Sequence, residues 1–280
     1  EYIHNGQGPQ PFFWRAPTDN DYGAKLPTRL KAWREASYQT PKAESFNVSK
    51  DGDKSIVKVT YRFPQVDAQW EITYKVFANG IIKVDNRFVA EGTETPMIPR
   101  VGLRMQLSEI LNDLTYYGRG PEENYRDRRT SQFIGEYTTP IKDLYEPYIR
   151  PQENEHHTDI YWCALTTKQK AGLLFIADRT FELNASNYLL GSLDSGETID
   201  NGAPRTNETN HRHLTDPQPV KQVDMFIDYR MMGVGGDNSW GAIAHEPYLI
   251  RPGVENTIEY GFSIVPFDKK ADYKNLIYQY

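Results

Sequence analysis

Trp70-Glu71-Ile72-Thr73-Tyr74-Lys75-Val76-Phe77-Ala78-Asn79-Gly80-Ile81-Ile82-Lys83-Val84-Asp85-Asn86-Arg87-Phe88 decides the fold. Trp70, Ile72, Tyr74 and Val76 alternate with Glu71, Thr73 and Lys75, and the same alternation resumes at Ile82, Val84, Asn86 and Phe88. Period-2 patterning marks a half-buried strand, and an Asn-Gly pair between two such runs is the strongest short-range hairpin signal. Working outward, Val57, Val59, Tyr61 and Phe63 predict a strand before the hairpin, and Val101, Leu103, Met105 and Leu107 one after it. Further strands are predicted at Gly172 to Ala177, Val223 to Met231 and Ile258 to Ile264.

Helical signal is thin. Thr28 to Ala36 predicts a short helix with Leu30 and Trp33 on one face, and Tyr273 to Tyr278 a final turn. Many strands joined by Gly, Pro and Asn turns, in a chain of 280 residues, predict an all-β fold of two large antiparallel sheets packed face to face. No repeat or linker divides residues 1–280, which read as one domain.

A net charge of −6 leaves no broad basic surface for nucleic acid. No stretch approaches the ~20 apolar residues needed to cross a bilayer, and no secretion signal opens the chain, which predicts a soluble protein in an unspecified compartment. The chain starts at Glu1 within Glu1-Tyr2-Ile3-His4-Asn5-Gly6, and a fragment of a longer protein is expected. The lone Cys163, beside Trp162, reads as a small buried hydrophobe.

The candidate chemistry lies outside the strands. Phe13-Trp14-Arg15-Ala16-Pro17-Thr18-Asp19-Asn20-Asp21, followed by Gly23, packs aromatic, cationic and acidic groups into one aperiodic segment. Pro17 and the Asx residues predict a stiff, shaped loop, either a ligand-facing wall or a self-bonded turn in which Arg15 pairs with a local Asp. Tyr22 to Arg29 predicts a mobile loop hinged at Gly23. Trp240 follows Gly233, Gly235 and Gly236 and has Asp237, Asn238, Ser239 and Gly241 around it, the context of a loop tip. Its ring either folds onto the sheet or faces a ligand or partner domain.

Glu122, Glu123, Asp127, Glu153, Asp19, Asp21 and Asp237 are carboxylates available for acid–base work, and no spacing singles out a converging pair. His211 with His213 and His156 with His157 lack an evident third ligand, so no metal site is assigned and structural or surface roles are expected. Gly118-Arg119-Gly120-Pro121-Glu122-Glu123-Asn124-Tyr125 lacks the lysine of a phosphate-binding loop and reads as an architectural tight turn, with Arg119 and Asn124 within possible reach of a sugar hydroxyl.

Taken together, the opening segment, Tyr117-Gly118-Arg119-Gly120-Pro121-Glu122-Glu123-Asn124-Tyr125-Arg126-Asp127-Arg128, Pro151-Gln152-Glu153-Asn154, His211-Arg212-His213-Leu214 and Gly233 to Trp240 resemble, in this order, the C-terminal small-chain domain of bacterial β-galactosidases of glycoside hydrolase family 2. The resemblance spans nearly the whole chain. It implies a β-supersandwich of the galactose-mutarotase-like type, within an enzyme whose two catalytic glutamates lie on an upstream barrel. It implies that Trp240 lines the aglycone side of the site, with Asn20, Asp21 and Gly23 at its mouth and a loop there that closes over a β-galactoside such as lactose. Mg²⁺ and Na⁺ are implied for the full-length enzyme and none for this chain; the partners are the remaining domains, in a homo-oligomeric parent. Where the family carries an arginine after Pro-Gln-Glu-Asn, this chain has Glu155-His156-His157, which puts a role for that loop in doubt. The alternatives are a free-standing carbohydrate-binding or aldose mutarotase-like protein, or a purely structural domain.

Overall fold

The computed structural model describes residues 1–90, 97–194, 213–238, 240–253 and 257–278. Among them run β1 (Gln10–Phe12), β2 (Ala43–Asp51), β3 (Lys54–Phe63), β4 (Ala68–Val76), β5 (Ile82–Ala90), β6 (Arg100–Leu107), β7 (Asp113–Gly120), β8 (Phe133–Pro140), β9 (His157–Thr166), β10 (Gly172–Ser186), β11 (Val223–Met231) and β12 (Thr257–Phe267). Helical turns are few: α1 (Asp19–Gly23), α2 (Leu26–Arg29), α3 (Lys31–Tyr38), α4 (Leu190–Leu193) and α5 (Tyr273–Ile277). β4 and β5 form the predicted hairpin, with Trp70 opposite Phe88 and Val76 opposite Ile82. Gly80 donates its N–H to the Phe77 carbonyl at 3.0 Å and holds φ at 85°, a value that needs glycine.

Every strand pairing is antiparallel. The two layers expected from the alternation are continuous, because a single sheet forks at β10. The first half of β10, Gly172 to Ala177, pairs with β12 and leads to β5, β4, β3 and β2. Its second half, Glu182 to Ser186, pairs with β11 and leads to β6 and β1. Along its other edge β10 holds β9, followed by β7 and β8.

Apolar residues from both arms fill one core, among them Trp70, Val84 and Phe88 of the hairpin, Leu103 of β6, Leu183 of β10, Ile227 of β11 and Phe262 of β12. Phe13 sits at its centre, with ring centroids 4.9 Å from Phe63, 5.1 Å from Trp33, 5.4 Å from Phe88 and 5.5 Å from Trp70. α3 caps this end of the core through Trp33, and α5 packs Tyr273 against Trp162 on the far face. Cys163 is buried in β9, where burial pushes its thiol pKa up.

Two expectations are corrected by the fold. Gly118 and Gly120 lie inside β7 rather than in a tight turn. A Cβ on Gly118 would stand 2.4 Å from Ile160 Cδ1 and one on Gly120 2.2 Å from the Tyr116 hydroxyl, so these glycines let neighbouring groups close in on the strand. The segment Tyr22 to Arg29 is two short helices joined at Ala24-Lys25 rather than an irregular loop, with Tyr22, Leu26 and Pro27 buried and Gly23, Lys25, Thr28 and Arg29 exposed.

Candidate functional site

The opening segment divides into two halves with different surroundings. Phe13, Trp14, Arg15 and Ala16 are buried, so the aromatic half belongs to the core rather than to a ligand-facing wall. Trp14 donates its Nε1–H to Asp194 Oδ2 at 3.0 Å, and Arg34 donates to the same oxygen at 2.9 Å. The acidic half then turns into α1. Thr18 caps that helix by accepting the Asp21 N–H at 3.2 Å, while Asp21 Oδ2 accepts the Thr18 N–H at 3.0 Å. This reciprocal arrangement satisfies backbone donors that the first helical turn would otherwise leave orphaned.

Asp21 also accepts from Arg15 Nε at 3.0 Å and Nη2 at 2.8 Å, a bidentate pair buried on both sides. The Arg15–Asp pairing anticipated within the segment therefore exists, and its acid is Asp21. The remaining donors of Arg15 leave the segment altogether. Nη1 donates to the Met232 carbonyl at 2.7 Å and Nη2 to the Gly233 carbonyl at 3.1 Å, which ties the first motif to the start of the glycine-rich loop.

That loop is fixed along its base. Asn20 Nδ2 donates to the Val234 carbonyl at 3.3 Å, and Asp127 accepts the N–H groups of Val234 and Gly235 at 2.9 and 2.8 Å. At the far end, a Cβ on Gly23 would stand 2.9 Å from Gly241 Cα, and one on Gly241 only 2.2 Å from the Gly23 carbonyl carbon. The two backbones touch because neither residue has a side chain. Gly241 also holds φ at 81°. Between these anchors His245 pairs with Asp237, Asn238 Oδ1 accepts the Trp240 N–H at 2.8 Å, and the Trp240 ring is 88% exposed. The exposed ring above this base offers a flat apolar face, suited to contacting a ligand or a neighbouring domain.

The structure thus brings Trp240, Asn20 and Gly23 together at one edge. Asp21 lies behind that edge, facing Arg15. A pocket of about 80 Å³ opens beside Asn20, lined in part by Thr18, Tyr125, Arg128, Gln152 and Gly235. Arg128 and Tyr125 carried no periodic or spacing signal of their own; they reach the site through Glu123, which accepts from Arg128 at 3.0 Å and from Tyr125 at 3.3 Å, as well as from the Tyr148 hydroxyl. Asn124 is fully enclosed and spends its amide on the carbonyls of Arg119 and Glu122 and on Thr158, while Arg119 donates to Asp159. Both serve the architecture rather than a sugar hydroxyl.

His156 and His157 are buried struts. His156 Nδ1 lies 2.8 Å from Asn184 Oδ1 and Nε2 3.0 Å from Glu182 Oε2. Asn184 gives its amide N–H groups to Glu153 at 3.1 Å and the Asn154 carbonyl at 2.6 Å, which leaves Oδ1 toward His156 as an acceptor. With acceptors at both ring nitrogens, imidazolium is the form that fits. Burial alone would lower the pKa of His156, but the Glu182 hydrogen bond and charge raise it overall. Glu153 continues the chain to Arg100 at 2.9 Å, and Arg100 Nε stands 3.2 Å from Asp228, whose carboxyl is pushed up to about 7, chiefly by burial. The loop that departs from the family pattern thus supplies a charged network beneath the sheet. His213 is exposed, and His211 lies outside the described residues.

Among the described residues no group of three His, Cys, Asp or Glu is placed to hold a metal ion. Among them, too, no helix is long and apolar enough to cross a membrane.

The family described as "Beta galactosidase small chain" matches residues 1–264. Proteins named beta-galactosidase are similar to the chain: one from Priestia megaterium is 33% identical over 87% of this chain and 22% of its own length. Another, from Streptococcus thermophilus, is 31% identical over 87% and 22%, and one from Lactobacillus delbrueckii subsp. bulgaricus 32% over 86% and 22%. The chain therefore spans about a fifth of these relatives. A galactose 1-epimerase from Lactobacillus acidophilus shares 9% identity at a TM-score of 0.43, covering 80% of this chain and 66% of that one, and a GalM/aldose epimerase homologue from C. elegans shares 11% at 0.40, covering 80% and 68%.

Proposed function

Because this chain belongs to the beta galactosidase small chain family, we propose that it is the C-terminal part of a β-galactosidase and completes the aglycone side of that enzyme's active site. The substrate class is terminal β-D-galactosides such as lactose. Two glutamates from the rest of the enzyme act as acid and nucleophile in a retaining double displacement, and the Mg²⁺ and Na⁺ implied by the resemblance stand with them outside this chain. The remaining domains are the immediate partners, in a homo-oligomeric parent.

The observation that carries this reading is the contact of Gly23 with Gly241. It brings the backbone that carries the exposed Trp240 ring against the segment of Asn20 and Gly23, which supports a reading in which two motifs far apart in sequence offer one edge with an apolar face and an amide. A pyranose presents a C–H face to such a ring and hydroxyls to such an amide. Asn20 and Gly23 hold this edge, and Asp21 acts by positioning rather than by touching substrate. Trp240→Ala in the full-length protein is expected to raise KM or weaken acceptor binding about three- to tenfold, with little change in the hydrolysis step. Unchanged acceptor kinetics would leave the domain a structural role alone.

A further inference from the structure

The fork in the sheet leaves a gap. Residues Asp178 to Phe181 of β10 pair with neither β12 nor β11, since the first pairing ends at Ala177 and the second starts at Glu182. The register with β9 shifts on either side of the Phe181–Ile160 pair, and Asp178, Arg179 and Thr180 are exposed there. Beside them a cleft of about 950 Å³ opens along β4, β5 and β12, and none of its lining residues belongs to the Trp240 edge. Its volume falls in the range of small-molecule sites.

The cleft is polar, and its charges are unevenly committed. Most of the wall carboxylates are engaged by cations that stand outside it: Lys58 on Glu71 at 2.7 Å, Lys75 on Asp85 at 2.8 Å, Arg119 on Asp159 at 2.8 Å, His156 on Glu182 at 3.0 Å, and Lys83 on Asp178. Among the arginines inside, Arg129 is held on Asp159 at 2.8 Å, and two others are held more loosely. Arg126 stands 3.6 Å from Glu182, and Arg87 3.7 Å from Glu259. Arg179, on the bulge, makes no ion pair with a described residue. The cleft itself is lined by six carboxylates and five arginines, and lysines standing outside it offset part of the negative charge. On the β5 wall Asn86 is 4% exposed; its Oδ1 accepts from Trp70 Nε1 at 3.0 Å, and its Nδ2 has no acceptor in the protein. A buried amide donor without a partner costs about 1–3 kcal/mol unless something fills it.

We propose that this cleft binds an anionic saccharide, a sugar bearing a phosphate or carboxylate group, with the anion against Arg126 and Arg179. Arg126 and Arg179 supply donors to acceptor oxygens. The wall carboxylates and the hydroxyls of Thr73 and Thr180 supply acceptors for sugar hydroxyls. A bare oxyanion would be repelled by those carboxylates, and a neutral sugar would leave Arg126 and Arg179 unused, so a ligand that joins both chemistries is the one that fits. Tyr229, with the Arg230 guanidinium 4.7 Å from its ring centroid, adds a ring surface at the mouth. The inference does not rest on the galactosidase reading, since it concerns only residues of this chain.

The test is a calorimetric titration of the 280-residue chain with galactose 6-phosphate and with galacturonate, against galactose and inorganic phosphate as controls. The charged sugars are expected to bind, the better of them identifying whether phosphate or carboxylate is the group recognised. Galactose and inorganic phosphate are expected to bind at least about tenfold more weakly, and Arg179→Ala and Arg126→Gln each to weaken the charged sugar about tenfold. Added salt should weaken binding further. Arg179 is exposed and unpaired, so its variant is expected to keep the parent melting temperature. Equal binding of inorganic phosphate, binding indifferent to Arg179→Ala, an acidic peptide that binds as well as the sugars, or no binding at high millimolar ligand would each overturn the proposal.

Discussion

Arg15 organises more of this molecule than any other polar side chain at the candidate edge. Its guanidinium joins the cap of α1 to the Met232 and Gly233 carbonyls, so the charge on Asp21 holds two distant segments at once. Asp21→Ala leaves that cation buried and uncompensated and is expected to cost about 3–5 kcal/mol, measured by urea denaturation. A loss under about 1 kcal/mol would show that the carbonyls alone suffice to hold Arg15. His156 gives a prediction with a definite sign. Its folded pKa is raised above the ordinary 6.5, so the stability it contributes is fully present below about pH 6.5 and is lost as pH rises through the folded value. The difference in unfolding free energy between the parent and His156→Gln is therefore expected to shrink with rising pH, and a difference flat from acid to alkaline would contradict the imidazolium assignment. The Arg–Asp pairing was legible in the sequence, because both partners lie within one short segment. The network through Asn184, Glu153 and Arg100 was not, since its members come from separate strands and loops and no local pattern connects them.

Among the elements, legibility followed the exposure of the two faces. β3, β4, β5 and β12 have one face toward the core and announce it by alternation, while β11 interleaves Val223, Met225 and Ile227 with Asp224, Phe226 and Asp228, which are buried too. β2 is exposed along its whole length, so Phe46 and Val48 sit in a segment with no buried face to impose a pattern. β9 is the opposite case, buried on almost every residue, and reads as an apolar run rather than an alternation. β7 was hidden by its glycines, which look like turn residues until β9 is seen pressing against them. The loop before Gly241 shows the same logic at the functional edge. Gly241→Ala places a methyl against the Gly23 backbone at a φ that favours glycine, with strain of order 1–3 kcal/mol. The expected outcome is a displaced Trp240 loop: acceptor binding in the full-length enzyme weakened in the same direction as in Trp240→Ala, with a modest fall in melting temperature that Trp240→Ala itself should not show.

On the scale of the whole molecule, the fold class and the order of the motifs could be read in advance, but the joining of the layers could not, because alternation says which face is buried and not which strands are neighbours. The carboxylates at the candidate edge are held by fixed partners: Asp21 by Arg15, Glu123 by Arg128, Asp127 by backbone N–H groups and Glu153 by Arg100. The 280-residue chain is accordingly expected to release no nitrophenol from a nitrophenyl galactoside, and chelation with EDTA to leave its melting temperature unchanged. Measurable release by the purified chain would place the acid and nucleophile here after all.

The fork at β10 also dictates when folding can finish. β6 waits for β11, more than a hundred residues later, and β5 waits for β12, later still. During synthesis the hairpin therefore emerges with an unsatisfied edge on β5, and no early half of the chain can close its own core. High contact order of this kind slows folding and exposes strand edges to other chains. Completion has to wait until β12 has emerged, so the core closes only when nearly the whole of this chain is available.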